Sequence, residues 1–246
     1  MQPSLFLLGL LARLVSAHGK ITVVTGNAGG NGTALGIQGG VIPSEGNSGK
    51  AQSDTTIFSS TKLLSAGLGK TTGSGKNTIS MLVDAMALSG PILPQITPGG
   101  SLSGTWRIVT ADGAGPIGAV IDPTAKGNFT TGIPLTVVQQ VPGYKGNFIF
   151  PEDQKVEEKR SIFRRAMDAA SSVVLSKRAA RTVQQDFAFE FAVPANVTCN
   201  GVIAGLRGVC LVKIANAHKA GPFGGVVAVQ MATASEGAKC SREFRA

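Results

Sequence analysis

The sequence predicts an all-β fold, a single β-sandwich of immunoglobulin-like or mono-oxygenase-like type with Gly-rich loops and a short helical insertion. Three observations carry that expectation. Its 33 glycines and 12 prolines in 246 residues cut the chain into short segments with many turns. Several of those segments alternate apolar and polar residues, the period of a half-buried strand. A hydrophobic share of 43% with only 15% charged residues supplies a core that a disordered chain lacks. The length suits one or two domains, and the pattern favours one.

The chain opens on an apolar run, residues 5–12, too short to span a membrane. Val15-Ser16-Ala17 then offers the small residues that a signal peptidase reads. Together they predict a secretory leader, residues 1–17, cleaved after Ala17. The leader is imperfect: it has no Lys or Arg at its start, and Arg13 interrupts the end of the apolar run. No later stretch is long and apolar enough for a membrane span. Cleavage would leave one domain, residues 18–246, with His18 as its first residue.

Residues 20–25 read as a strand, and the glycines up to Gly40 as a long flexible loop. Residues 67–76, GLGKTTGSGK, resemble a phosphate loop only superficially. Asn77 follows Lys76, and no Gly stands at the right distance before Lys70, so nucleotide binding is excluded. Residues 77–88 suit a short helix capped by Asn77 or Thr78. Pro91, Pro94 and Pro98 forbid a helix in the stretch that follows. Residues 101–110 alternate as a strand, Asp112-Gly113 marks a turn before another strand, and residues 133–141 give one more, ended by Pro142-Gly143.

Residues 151–181 break the style, with one Pro, no Gly and good helix formers. Acids at 152, 153, 157 and 158 precede most of the basic residues, which complements a helix dipole. Eight basic and five acidic residues leave a net +3, so an exposed basic helical insert is expected here. Its dibasic pairs, Lys159-Arg160, Arg164-Arg165 and Lys177-Arg178, would suit a Kex2-type protease. Strand character then returns. Phe187, Phe189, Phe191 and Val193 fall on one face, and residues 208–216 and 224–232 read as two further strands.

The net charge of +9 fits a soluble basic surface, whose natural partners would be nucleic acid, anionic lipid or acidic polysaccharide. No basic helix interleaved with aromatics exists, so nucleic acid is not expected. The chain has only two histidines, His18 and His218. A freed amine and imidazole at His18, completed by His218, would make a copper brace. Tyr144 or Phe223 is the candidate axial neighbour. The blander alternative is that His18 merely follows a leader and His218 is a polar loop residue. The cofactor expectation is therefore none, with copper as the alternative.

Neither histidine lies in a G-x-S-x-G motif. Asp84, Asp112, Asp122, Asp186 and Glu190 are candidate carboxylates, but nothing singles out a pair for glycoside hydrolysis. A binding protein is expected rather than an enzyme, with a copper-dependent polysaccharide oxidase as the alternative. Cys199 and Cys210 flank what reads as a strand pair and could bridge in an oxidising compartment, leaving Cys240 over. No cysteine spacing suits zinc. Sequons stand at Asn31, Asn128 and Asn196, and they matter only on the secretory route.

Six ordered segments carry a resemblance. They are AHGKITVVTGNAGGNGTALGI (17–37), LPQITPGGSLSGTW (93–106), DGAGP (112–116), Val141-Pro142 with the basic insert behind it, CNGVIAGLRGVCLVKIAN (199–216) and AGPFGGVVAVQM (220–231). In these the chain is similar to the fungal Egh16-like virulence factor family, which includes the GAS/MAS appressorium proteins. The resemblance implies a fungal protein associated with the appressorium, host penetration and lesion development, with no settled biochemical activity. It implies as partner a host or fungal cell-wall polysaccharide or a host surface protein. The implied place is outside the cell, with the appressorium cytoplasm as the alternative. A His at position 218 is not a regular feature of the family pattern, and the basic insert and low cysteine count also depart from it.

Overall fold

The computed structural model describes residues 18–39, 53–150, 182–219 and 221–232. The leader, the basic segment 151–181 and Cys240, with the expectations placed on them, lie outside the described residues. The described chain is all-β, two sheets with one short helix.

The first sheet contains β1 (Gly19–Gly26), β2 (Gly29–Gly32), β7 (Ser101–Thr110), β10 (Thr136–Gln139) and β11 (Thr182–Ala192). Their order is β10-β11-β7-β1-β2, antiparallel throughout. The second sheet contains β3 (Thr56–Ile57), β4 (Lys70–Thr71), β5 (Gly75–Lys76), β6 (Gln95–Ile96), β8 (Ile117–Asp122), β9 (Ile133–Pro134), β12 (Gly201–Ile203), β13 (Leu206–Asn216) and β14 (Phe223–Met231). Its main path runs β5-β4-β3-β14-β13-β8-β9, with β12 beside β13 and β6 parallel to β14.

Alternation explains the first sheet. Leu102, Trp106 and Ile108 of β7, with Phe189 and Phe191 of β11, all face one core. Ile214, Val212, Val227 and Val229 of the second sheet meet them there. Each such side chain contributes about 1.5–3 kcal/mol by leaving water. The second sheet is covered on its other face too, where Val209, Leu211, Val226 and Ala228 pack with Phe58, Leu82 and Phe129. Burial on both faces is why β13 and β14 read as continuous apolar runs rather than alternating ones.

Three expectations need correction. The glycine stretch after β1 is not all loop, because Gly29–Gly32 pairs with β1 as an edge strand. A Cβ on Gly30 would stand 2.0 Å from the Leu93 carbonyl oxygen, so close backbone approach explains the missing side chain there. The apolar run 133–141 is two strands in different sheets, β9 against β8 and β10 against β11, with Leu135 N donating to Ala119 O at the crossing.

The helix, α1 (Leu82–Ser89), starts later than expected, behind a single 3-10 turn at Ile79–Met81. Thr78 makes no side-chain capping bond there. The Asn77 amide instead donates to Leu35 O and Leu68 O, both at 3.2 Å, and its Oδ1 accepts from Thr71 Oγ1 at 2.8 Å. Asn77 is used up in joining loops and has nothing left for a cap.

Candidate functional site at His18 and His218

His18 enters the fold immediately before β1 and is held by β7. Its carbonyl oxygen accepts from Val109 N at 2.9 Å and Thr110 N at 3.2 Å. Its own backbone nitrogen donates to Thr110 Oγ1 at 2.7 Å, and that hydroxyl donates onward to Asp112 Oδ1 at 2.8 Å. Burial raises the Asp112 carboxyl above its ordinary range. The Thr110 bond, a backbone bond and the nearby His218 all oppose that shift. Gly113 closes the third side: a Cβ there would lie 2.0 Å from His18 O, so no other residue fits without moving the histidine. Trp106 Nε1 fixes Gly113 in turn, donating to its carbonyl at 2.9 Å.

His218 comes from the loop after β13. Asn216 folds that loop back: its Oδ1 accepts from Phe223 N at 2.9 Å and His218 N at 3.3 Å, and its Nδ2 donates to Ala114 O at 2.9 Å. The result sets the Phe223 ring 5.9 Å from the His18 ring and 6.1 Å from the His218 ring, centroid to centroid. His18 and Phe223 are buried, and His218 is half-buried. The only two histidines of the chain, 200 positions apart, therefore share one aromatic neighbour.

Of the two aromatic residues nominated as axial neighbour, Phe223 lies against both imidazoles, whereas Tyr144 is exposed on an adjoining turn. That turn is tied to the site through Gly146, where a Cβ would meet His218 Cβ at 2.5 Å. Ala114 N also donates to Gly146 O, and Gly146 N to Gly115 O, both at 3.0 Å.

Among the described residues, no three His, Cys, Asp or Glu side chains gather to hold a metal. A metal at this pair would need its third donor from the His18 nitrogen, which becomes an amine only after cleavage. Imidazole and amine nitrogens suit copper, and the pair fits that group on its donor chemistry.

Several candidate carboxylates have structural tasks. Asp122 accepts from the backbone nitrogens of Thr124, Lys126, Gly127 and Asn128. Asp186 holds Arg107, at 3.0 Å. Asp84 lies in the first turn of α1. Cys199 and Cys210 are joined by a disulfide, and Asn31, Asn128 and Asn196 are all exposed. A separate cavity of about 620 Å³ includes Lys20, Asp54 and Arg107 in its wall. Sequence reasoning missed Thr110 and Asn216 as supports of the site. Thr110 meets His18 92 positions away, and Asn216, besides its bonds to His218 and Phe223, is anchored on Ala114 102 positions away; no local pattern marks those long-range bonds.

Against known families, residues 16–224 match one described as Egh16-like virulence factor, a span that includes both histidines and Phe223. The appressoria-specific virulence factor GAS1 of Pyricularia oryzae is 34% identical over 224 residues, covering 91% of this chain and 75% of that protein. The appressoria-specific virulence factor GAS2 of the same fungus is 28% identical over 144 residues, covering 58% of this chain and 39% of that protein. No solved structure matches.

Proposed function

Because the chain belongs to the Egh16-like virulence factor family, we propose that it is an exported, appressorium-associated virulence factor that assists host penetration. It binds wall polymer or a host surface protein, and its His18–His218 pair, once the leader is removed, holds one copper ion. The names of both relatives support the appressorial role. The leader, the three exposed sequons and the Cys199–Cys210 bridge support export, since such bonds persist in oxidising compartments.

One observation carries the metal reading: two histidines remote in sequence both lie against the ring of Phe223, at 5.9 and 6.1 Å between centroids. Copper bound there would supply one-electron redox chemistry. The chain's own part is to hold the imidazoles and the amine. Thr110 accepts from the His18 nitrogen, Gly113 and Trp106 fix the His18 carbonyl, and Asn216 sets the His218 loop.

The test starts with N-terminal sequencing of native protein, expected to begin at His18. Calorimetric titration of that protein with Cu(II) should then give one tight site per chain. An extra Ala ahead of His18 should abolish it, and His218→Ala should weaken it. Tight binding that survives the added Ala would end the copper reading, and a native chain beginning at Met1 would end the export reading.

A further inference from the structure

We propose that the Tyr144–Lys145 turn, together with Lys219, is the docking contact for an acidic polysaccharide, a chain of uronic acid units laid beside His218. The proposal rests on the wall-facing function above and names the polymer class that such a function would require.

The turn is a built feature. Tyr144 N donates to Asn147 O at 2.8 Å, and Asn147 N returns the bond to Tyr144 O at 2.9 Å. Lys145 and Gly146 between them have φ of 51° and 85°, the paired left-handed conformations of a tight hairpin turn. Gly146 presses on His218 and is bonded to Ala114 and Gly115, so the turn is fixed to the His218 loop rather than free beside it.

This rigid turn presents the only tyrosine of the chain to solvent, 61% exposed. Tyrosine combines a flat apolar face with a polar hydroxyl, and here a fixed turn holds it in water where a ligand can reach it. The ring face turned away from the Lys145 ammonium suits the C–H face of a pyranose. The charges select among sugars. Lys145 Nζ lies 5.1 Å from the Tyr144 ring centre, and Lys219 is exposed next to His218. Residues 142–150 and 216–223 contain no Asp or Glu at all, and Asp112 below them is buried. An exposed ring beside Lys145, with Lys219 exposed on the neighbouring His218 loop and a chain of net charge +9, complements a polymer that carries one carboxylate per sugar. A neutral polymer would use the ring and waste both lysines. Because the turn is already rigid, little ordering cost opposes binding.

The experiment uses the mature chain from His18 and three polymers: polygalacturonic acid, fully methyl-esterified pectin and chitin, each at low and high ionic strength. Wild type should be retained on polygalacturonic acid and released by salt, with little retention on the other two. Tyr144→Ala should weaken retention about tenfold, the worth of one good aromatic contact. The double variant Lys145→Ala/Lys219→Ala should lose the preference for the unesterified polymer. Both variants should keep the wild-type melting temperature, because their side chains are exposed. Equal retention of wild type and Tyr144→Ala, equal retention on all three polymers, or no retention at all would each overturn the proposal. Copper titration of the same proteins separates the two readings. Loss of metal binding with polymer binding intact would remove the copper site alone, and the reverse would remove the docking contact alone.

Discussion

The His218 imidazole lies nearly parallel to the Phe223 ring, their planes 28° apart and their centres separated by 6.1 Å. Phe223 also meets His18, so this one buried side chain packs against both imidazoles. Phe223→Leu keeps the site apolar but removes the flat surface. The fold should lose about 1–2 kcal/mol, a modest large-to-small cost. Copper affinity of the processed chain should fall roughly tenfold, as it does when an outer support of a metal ligand is lost. Urea unfolding and Cu(II) titration read the two effects separately. An unchanged affinity would make Phe223 a core residue with no part in holding the histidines.

Gly146 offers a second handle on the same geometry. Its φ of 85° disfavours any side chain, and its Cβ would collide with His218. Gly205 has nearly the same φ, 82°, but open space around it. Gly205→Ala should therefore cost only the strain of a left-handed residue, about 1–2 kcal/mol. Gly146→Ala should cost more, and it alone should weaken copper binding, because His218 must move. Equal losses in the two variants, with copper binding intact, would mean that the turn yields without disturbing the histidine.

What the sequence made legible follows from what each residue had available to show. The strand at 101–110 was readable because Leu102, Trp106 and Ile108 alternate into a core on one side only. Residues 208–216 were readable as a strand from an apolar run that only Lys213 interrupts before Asn216. The edge strand Gly29–Gly32 was not, because residues without side chains make no pattern. Residues 133–141 looked like one strand because a chain crossing from sheet to sheet stays apolar across the corner. The histidine pair could be nominated because only two exist and one follows a leader. Its supports could not: Thr110 reaches His18 across 92 positions, and Asn216, which bonds His218 and Phe223 nearby, is held in place by Ala114 102 positions away.

Asp122 tests the loop that carries the Asn128 sequon. Its two carboxylate oxygens accept from four backbone nitrogens and from Thr124 Oγ1, at 2.7 to 3.2 Å. Asp122→Asn replaces one acceptor oxygen by an amide that can only donate, so donors face donors in a buried place. The cost should be roughly 2–4 kcal/mol, above the loss of a single neutral hydrogen bond. Denaturant midpoints measure it, and amide exchange should speed up at residues 124–128 first. A variant as stable as wild type, with unchanged exchange there, would show that the loop holds its shape without the carboxylate.

Lys213 gives the fold a pH dependence at the alkaline end. It stands on β13 with its Nζ 2.7 Å from Ser65 O, 3.1 Å from Ser65 Oγ and 3.4 Å from Leu63 O. The Phe58 and Phe129 rings lie 4.8 and 5.0 Å from the same nitrogen. Oxygens and ring faces partly replace water, yet burial still pushes the amine down to about 8 from 10.5. Between those values the unfolded chain binds more protons than the folded one, so stability rises with pH across that window. Below it the folded protein bears the full burden of the buried ammonium. Lys20, also lowered chiefly by burial, acts in the same direction. Lys213→Met should flatten the rise without abolishing it, because Lys20 remains. Urea midpoints at the two ends of the window test this, and identical slopes for wild type and variant would mean that Lys213 titrates like a lysine in water.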